Sequence, residues 1–533
     1  MSTLYGLSFY VHNIYRMDMK MKTVRTIEEL IMETDSKKRL IIYGAGQVGK
    51  LVYGFLRSNG ITVTAFSVTM QIKEWSYDGI PVRSIDDILD DCKVSDIIII
   101  LSVTKTYQTS MEEELKKRKT SSYIKLSEGL IYELRLKRQK EKAKEAELKK
   151  EIIEGNSIGY LTPGYLDTDY AERRVVVDKI KDAFYVAMPK ESAEILLEDK
   201  SSEIDWERYR QSAEACYCPK EYCPEVDLVH TFNMVCKTDR AWIASFETTM
   251  PRIWPGAESE EKYYLQLAGY MKQSNCKMLY AFCRNAYNIQ RHNLMRHLPL
   301  DDVELLMAKT KVLHPPQEIL ITEEGFVKKH KRKEIHFIFV GSAFFIKGGR
   351  ELIRVLSKFE NYYDFRLTLV SNLLCNDYFT KTSNEEATTW KEIIQKKQWI
   401  DYYESIPNDK VLEKCTEATI GLLPSFADTY GYAVLEMQAS GCPVVTTNVR
   451  ALSEINNEKC GWVCQMPIDD LGYCTEQDKT LLSDILEKEL EKCFQDIFEH
   501  PDTIEIKGRA ALERIREMHD PDKYQRELKK NLE

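Results

Sequence analysis

Short, continuously apolar segments recur along the chain, each about as long as one β-strand and separated from the next by a helix-length stretch. They include RLIIY (39–43), DIIIIL (96–101), DLVHTF (227–232), IHFIFV (335–340) and ATIGLL (418–423). Apolar runs that do not alternate with polar residues are typical of parallel strands covered by helices on both faces. The chain is therefore predicted to have an α/β fold of doubly wound parallel sheets.

The length of the chain, 533 residues, exceeds what one hydrophobic core supports and predicts about three domains. We expect a Rossmann-like N-terminal domain at 21–133, a charged helical linker at 134–155, a second α/β domain at 156–333 and a third at 334–533. The linker is rich in Lys, Glu and Ala and has no apolar stripe, which favours a solvated helix. The alternative, a basic surface that rests on acidic lipid, lacks Trp or Phe anchors.

The charge balance argues against one large class of partners. A net charge of −9 and a pI near 5.7 do not suit a general nucleic-acid binder, which needs a basic face to displace counterions. No apolar run reaches the roughly 18 residues that span a bilayer. The first apolar stretch is interrupted by His12 and Asn13, unlike a signal peptide. We expect a cytoplasmic protein with at most peripheral membrane contact.

The cysteine positions indicate reduced thiols rather than a metal site. Cys415 and Cys442 lie in apolar runs and are expected to be buried and reduced. The cluster of Cys216, Cys218 and Cys223 matches no common zinc spacing, and no second pair of ligands follows it. We therefore expect no metal ion at this cluster.

The segment GLLPSFADTYGYAVLEMQASGCPVVTTN (421–448) has the pattern of a strand, a loop, a helix that begins near Tyr432, and another strand. A helix N-terminus offers backbone N–H groups and the positive end of the helix dipole, which suit a phosphate or sugar hydroxyls. Gly431 allows a ligand to approach the backbone closely. Asp428 precedes the helix and Glu436 lies within it, so the two carboxylates can hydrogen-bond different parts of one bound molecule.

A second glycine-containing loop follows the predicted strand 335–340. It reads GSAFFIKGGR (341–350) and again leads into a helix. Lys347, beside Gly348 and Gly349, is well placed to neutralise a diphosphate while a bond to that diphosphate breaks.

These two motifs resemble the signatures of the family-four retaining glycosyltransferases, which have the two-domain GT-B fold. The resemblance implies that Asp428 meets the donor sugar, that Glu436 holds the ribose hydroxyls, and that Lys347 meets the diphosphate. It implies further donor contacts from the two loops, at Gly341, Ser342, Thr429, Tyr430 and Gly431. Members of the family carry an Arg where this chain has Ser342, and Arg350 is a candidate to compensate.

The second predicted domain is then the acceptor half of a GT-B fold. VDLVHTFNM (226–234) resembles the family's strand with a His near the donor sugar, which makes His230 a candidate catalytic residue. The alternative is a structural histidine beside a buried strand. Glu247 stands where many relatives have a His-Asp loop. The glycine-rich loop expected after the first strand is reduced to Gly164.

The N-terminal domain carries the glycine pattern Gly44, Gly46 and Gly49 after a strand and at the start of a helix, a context that suits nucleotide binding. The acidic residue expected about 20 positions later, which would hold the ribose of NAD, is missing. The region resembles small Rossmann-like domains attached to bacterial sugar-modifying enzymes. A working nucleotide site and a purely structural or docking domain both stay open.

The resemblance therefore implies a retaining, metal-independent glycosyltransferase without a cofactor. Its substrates are expected to be a nucleotide-sugar donor and a glycan, lipid-linked or protein acceptor, in the assembly of bacterial cell-surface glycans. Two alternatives are a nucleotide-sugar oxidoreductase or epimerase that uses the N-terminal glycines, and a non-catalytic partner in glycan assembly with a decayed site.

Overall fold

The computed structural model groups the chain into two compact units, one built mainly on residues 1–152 and the other mainly on residues 190–533 with shorter segments before them. The structure describes residues 22–34, 38–69, 75–103, 105–120, 123–127, 129–131, 133–134, 137–138, 156–161, 174–181, 183–187, 215–217, 227–252, 260–331, 334–375 and 379–532. Most of the predicted charged linker lies outside these residues.

The first unit is an α/β domain. Its strands are β1 Lys22–Val24, β2 Arg39–Tyr43, β3 Ala65–Val68, β4 Trp75–Tyr77, β5 Ile80–Ser84, β6 Ile97–Leu101 and β7 Ile124–Leu126. They form one seven-stranded sheet in the order β1-β7-β6-β2-β3-β5-β4, in which only the β4–β5 pair is antiparallel. Its helices are α1 Ile27–Thr34, α2 Gln47–Ser58, α3 Ile85–Asp91 and α4 Lys105–Lys117, with a 3-10 turn at Val94–Asp96.

The two faces of this sheet carry separate apolar clusters. Every residue of β6 is buried, and its side chains alternate between the two clusters. Ile98 and Ile100 pack with Val52 of α2, whereas Ile99 packs with Ile85 of α3. Helices therefore cover both faces, as the continuous apolar runs predict.

The second unit contains two further sheets. Its first half, residues 156–312, has a six-stranded parallel sheet of β8 Asn156–Leu161, β9 Ala183–Ala187, β11 Leu228–Phe232, β13 Trp242–Phe246, β14 Cys276–Ala281 and β15 Thr310–Val312. The order is β15-β14-β13-β11-β8-β9, and a separate pair joins β10 Ala215–Tyr217 to β12 Val235–Lys237. The helices are α5 Glu260–Lys272, α6 Arg284–His297 and α7 Leu300–Ala308.

The second half, residues 323–518, has the other six-stranded parallel sheet. Its strands are β16 Ile335–Val340, β17 Phe365–Val370, β18 Ile400–Tyr403, β19 Ile420–Leu423, β20 Val444–Thr447 and β21 Gly461–Cys464, in the order β18-β17-β16-β19-β20-β21. The helices are α8 Glu323–His330, α9 Gly349–Phe359, α10 Asn384–Lys396, α11 Asn408–Glu417, α12 Tyr432–Ala439, α13 Leu452–Ile455, α14 Lys479–Glu499 and α15 Asp502–Met518.

The last helix, α16 Pro521–Lys529, returns from the second half to the first. Its residues Tyr524 and Leu528 are buried against Leu228, Ile243 and Tyr280 of the first sheet. Two parallel α/β halves connected in this way form the GT-B arrangement, and the predicted α/β class is confirmed. Among the described residues, no helix combines the length and apolar character that a membrane crossing requires.

Removal of the first unit tests its independence. A fragment that begins at Ile153 keeps both six-stranded sheets of the second unit, so we expect it to unfold cooperatively. We expect its melting temperature to lie within about 4 °C of the corresponding transition of the full chain, measured by calorimetry. A fragment without a cooperative transition, beside a full chain that has one, would show that the two units fold together.

Candidate active site

Helix α12 and the loop before it fix the position of the carboxylate motif. Gly431 caps the helix in the left-handed conformation, with φ +92°, and makes no side-chain cap. A Cβ atom built on this glycine would lie 2.7 Å from the side chain of Leu452, so a larger residue fits neither the backbone nor the space. The N-terminus of α12 is therefore held closely against its surroundings without a side chain over it.

The loop between β16 and α9 lies against the carboxylate loop. The backbone N–H of Phe426 donates to the carbonyl of Ile346 at 2.9 Å. Gly348 has φ +73°, and a Cβ built there would come within 2.3 Å of the Pro424 carbonyl oxygen. A Cβ on Gly341 would lie 2.6 Å from Cδ of Lys347, so this glycine leaves room for the lysine stem. The two motifs found in the sequence form one surface.

An ion pair joins the two motifs. Lys347 Nζ lies 2.6 Å from Oδ2 of Asp428, and only 22% and 7% of the two side chains is exposed. The other carboxylate oxygen of Asp428 accepts the backbone N–H of Tyr430 at 3.2 Å, which orients the carboxylate. The ammonium group of Lys347 thus lies beside the loop that leads into α12, where an incoming anion can compete with Asp428 for it.

Glu436 is buried in α12 and is bound by a residue that the sequence did not indicate. Arg174, from the first half, donates from Nη1 to Oε1 of Glu436 at 2.9 Å, and the two side chains are 11% and 6% exposed. The other terminal nitrogen of Arg174 donates to Oε1 of Gln317. Its guanidinium carbon lies 5.2 Å from the ring centre of Tyr432. One arginine therefore contacts both the start and the middle of α12.

Two further residues predicted to contact the donor are Ser342, in the loop between β16 and α9, and Arg350, at the start of α9. Arg350 forms ion pairs with Glu351 at 2.8 Å and with Glu386 at 2.9 Å. Ser342 is exposed, and its carbonyl accepts the backbone N–H of Leu374 at 3.0 Å. Donor contacts by Arg350 and Ser342 stay predictions.

The structure also buries two other predicted residues. His230 is 1% exposed in β11, and its Nε2 lies 2.9 Å from Oγ of Ser245 on β13. Burial lowers the pKa of His230 to about 3, so its imidazole is neutral, as in the structural alternative. Tyr430 is fully buried, and its hydroxyl lies 3.1 Å from Nδ1 of His314. Thr429 is half-buried between Asp428 and Tyr430.

Glu247 has a clearer place than the sequence suggested. It follows β13, and its backbone N–H donates to Oδ1 of Asn233 at 3.0 Å, while Asn233 Nδ2 donates back to its carboxylate at 3.4 Å. Burial raises the pKa of Glu247, the nearby Arg252 opposes that rise, and the charge of Asp428 adds to it. The hydroxyl of Tyr432, on α12, lies near the same carboxylate and lowers its pKa. A third acidic side chain therefore lies beside the predicted sugar site.

A cleft of about 360 Å³ lies on the other side of α12. Arg174, Gln317, Asn408, Leu412 and Glu436 are among its lining residues. Its lining combines apolar side chains, three amide side chains and charged groups that include the Arg174–Glu436 pair, a mixture that suits a nucleoside. Glu436 is thus positioned between this cleft and the helix N-terminus.

The N-terminal glycine loop is tightly packed. Gly44 has φ +116°, and a Cβ built on Gly49 would lie 1.8 Å from the Gly44 carbonyl oxygen, so both positions require glycine. A Cβ on Gly46 would meet no atom within 4 Å. Packing alone therefore accounts for the glycines at positions 44 and 49. Nucleotide binding by the first unit stays a prediction.

Other predicted positions fall outside the described residues, namely Gly164, Cys218 and Cys223, while Cys216 lies on strand β10. Cys415 and Cys442 are buried free thiols, as predicted. Within the described part of the chain, no group of three His, Cys, Asp or Glu side chains is placed to hold a metal ion.

Residues 321–473, which include both motifs, match the family described as Glycosyl transferases group 1. Over this segment the match confirms the resemblance that the motifs predict. No curated protein sequence matches the chain.

Several solved structures resemble the chain at low identity. Sucrose-phosphate synthase from Thermosynechococcus elongatus is 12% identical, with a TM-score of 0.44 over 70% of this chain and 98% of that one. HepE from Anabaena in complex with UDP-glucose is 12% identical, with a TM-score of 0.45 over 70% and 99%. WaaG, a glycosyltransferase involved in lipopolysaccharide biosynthesis, is 13% identical, with a TM-score of 0.42 over 69% and 98%.

The buried carboxyl of Glu247 predicts a pH-dependent stability. Since its pKa is raised in the folded state, the folded protein holds this proton more tightly, and the free energy of unfolding falls as the pH rises above 4.5, the usual value. Glu247→Gln should therefore melt at a higher temperature than wild type at about pH 7–8, with a difference that shrinks toward pH 4.5.

The matched control is Glu304→Gln, which removes an exposed carboxylate from α7. It should change the melting temperature little at any pH in this range. A Glu247→Gln protein that is less stable than wild type at neutral pH would contradict the assignment.

Proposed function

We propose that the protein transfers a sugar from a nucleotide-sugar donor to an acceptor hydroxyl. The observation that carries the proposal is the joining of two loops at one helix N-terminus, with Lys347 and Asp428 in contact and Glu436 further along the same helix. The match of residues 321–473 to group 1 glycosyl transferases supports this class of reaction.

The arrangement suggests where each part of the donor binds. The diphosphate would lie between Lys347 and the N-terminus of α12, since both offer positive charge to a leaving group. The ribose would reach Glu436, and the base would enter the cleft beside Asn408 and Leu412. The sugar would then lie near Asp428, on the side of α12 that faces Glu247.

We further propose that the anomeric configuration is retained and that no metal ion takes part. Lys347 and the backbone N–H groups of α12 supply positive charge where a divalent ion would otherwise act. The departing diphosphate, held by these groups, would help to deprotonate the incoming hydroxyl on the same face of the sugar. The acceptor would be a glycan, a lipid-linked sugar or a protein in bacterial cell-surface assembly, and the buried free thiols suit a reaction in the cytoplasm.

We expect sugar transfer to depend on Lys347 and not on a metal ion that EDTA can remove. Lys347→Ala removes a preorganised positive group from the leaving diphosphate, which typically lowers turnover about 100- to 1000-fold. Wild-type activity should survive EDTA. Both effects can be measured as donor hydrolysis or transfer with UDP-, GDP- and ADP-sugars.

The control for the lysine variant is Lys358→Ala, whose side chain is 49% exposed and pairs with Glu491 on the surface. It should keep wild-type turnover. Activity that EDTA abolishes and Mn²⁺ restores would contradict the metal-free mechanism, and a fully active Lys347→Ala enzyme would move the phosphate contact elsewhere.

Glu436 should contribute mainly to donor binding. Glu436→Gln replaces a charged acceptor of ribose hydrogen bonds by a neutral one, which should weaken donor binding by about 1.5–3 kcal/mol. Calorimetric titration of the nucleoside diphosphate measures the loss. Glu413→Gln, at an exposed surface pair, is the control. Unchanged affinity in Glu436→Gln would rule out its ribose role.

A further inference from the structure

The donor site of the second half is reached by a cation from the first half. Arg174 and Glu436 are 262 positions apart in the sequence, yet their side chains are in contact at 2.9 Å and are almost fully buried. Tyr524, on the returning helix α16, donates to the carbonyl of Val175 at 2.8 Å, which fixes the backbone next to Arg174. The returning helix α16 therefore holds the Arg174 side of this ion pair, and α12 holds the Glu436 side.

Two acceptors fix the orientation of the Arg174 guanidinium group. Nη1 binds Glu436 and Nη2 binds Gln317, so the guanidinium plane is defined by two acceptors at once. The same plane lies above Tyr432, the first residue of α12. A lysine has the charge of an arginine but no planar fork, so it cannot reproduce both contacts.

We propose that Arg174 is a positioning residue for the nucleotide-sugar donor, acting through Glu436. Resting on the proposed function, this inference gives the first half a part in donor binding as well as in acceptor binding. Arg174 pairs with the buried carboxylate of Glu436 and orients it toward the ribose. A carboxylate accepts up to about four hydrogen bonds, so the arginine and a ribose diol can share it.

The proposed role of Arg174 also fits the charge pairs around the loop and helix start at 341–350. The position where the family carries an arginine is Ser342, and Arg350 is engaged by Glu351 and Glu386. Lys347 pairs with Asp428, and Arg174 from the other half pairs with Glu436. Arg174 balances that buried charge, and binding of the donor therefore depends on the two halves being together.

The test is a double-mutant cycle in the full chain. The probe is whichever of UDP, GDP and ADP binds the wild-type protein most tightly, titrated by calorimetry, with steady-state kinetics on the matching glucose donor. Arg174→Gln should raise the dissociation constant and the donor KM about 10- to 100-fold, with kcat changed much less. In a Glu436→Gln background the same substitution should add almost nothing, because the two residues act as a pair.

Arg174→Lys, which preserves the charge, should fold if Arg174→Gln does not, and should show a smaller loss that again disappears beside Glu436→Gln. Arg516→Gln, at an exposed ion pair with Glu513, is the matched control and should bind as wild type does. Effects of Arg174 and Glu436 that simply add would overturn the inference, as would tighter binding by Arg174→Gln. A wild-type protein that binds none of the nucleotides would instead refute the proposed function.

Discussion

The site depends on the packing of one short helix. Residues 434–439 of α12 are all buried, so close packing defines the position of this short helix. Glycines permit the contacts: a Cβ on Gly421 would lie 2.5 Å from the sulfur of Met437, and one on Gly441 would lie 2.6 Å from the ring of Phe326. The packing of the helix thereby positions its N-terminus and the carboxylate of Glu436 within it.

The two halves of the second unit meet around this helix through polar as well as apolar contacts. The ring of Phe282 from the first half packs edge-on against Tyr430 and Tyr432, at 5.6 and 6.4 Å. Arg450 donates to the hydroxyl of Thr248 at 2.9 Å, beside Glu247. Residues of both halves therefore lie around α12.

Much of this could be predicted from the sequence, and the exceptions have physical causes. Lys347, Asp428 and Glu436 lie within local strand–loop–helix patterns, and the family resemblance implies that they serve one donor site. Arg174 could not be found in this way, since its partner belongs to the other half. The sequence also does not indicate the partners of two other candidates. His230 has Ser245 of neighbouring β13 as its buried partner. Arg350 pairs with Glu386 of α10, which lies 36 positions further along the chain.

Two glycine loops in this chain are candidates for a nucleotide, one in each unit, and a crystal structure of the full chain with the tightest-binding nucleoside diphosphate distinguishes them. We predict the diphosphate between the loop of Gly341 and the N-terminus of α12, with a phosphate oxygen about 3 Å from Lys347 Nζ. The ribose should contact Glu436 while Arg174 stays in place. A nucleotide bound only at Gly44–Gly49 of the first unit, with the surroundings of Lys347 empty, would contradict the assignment of the donor site.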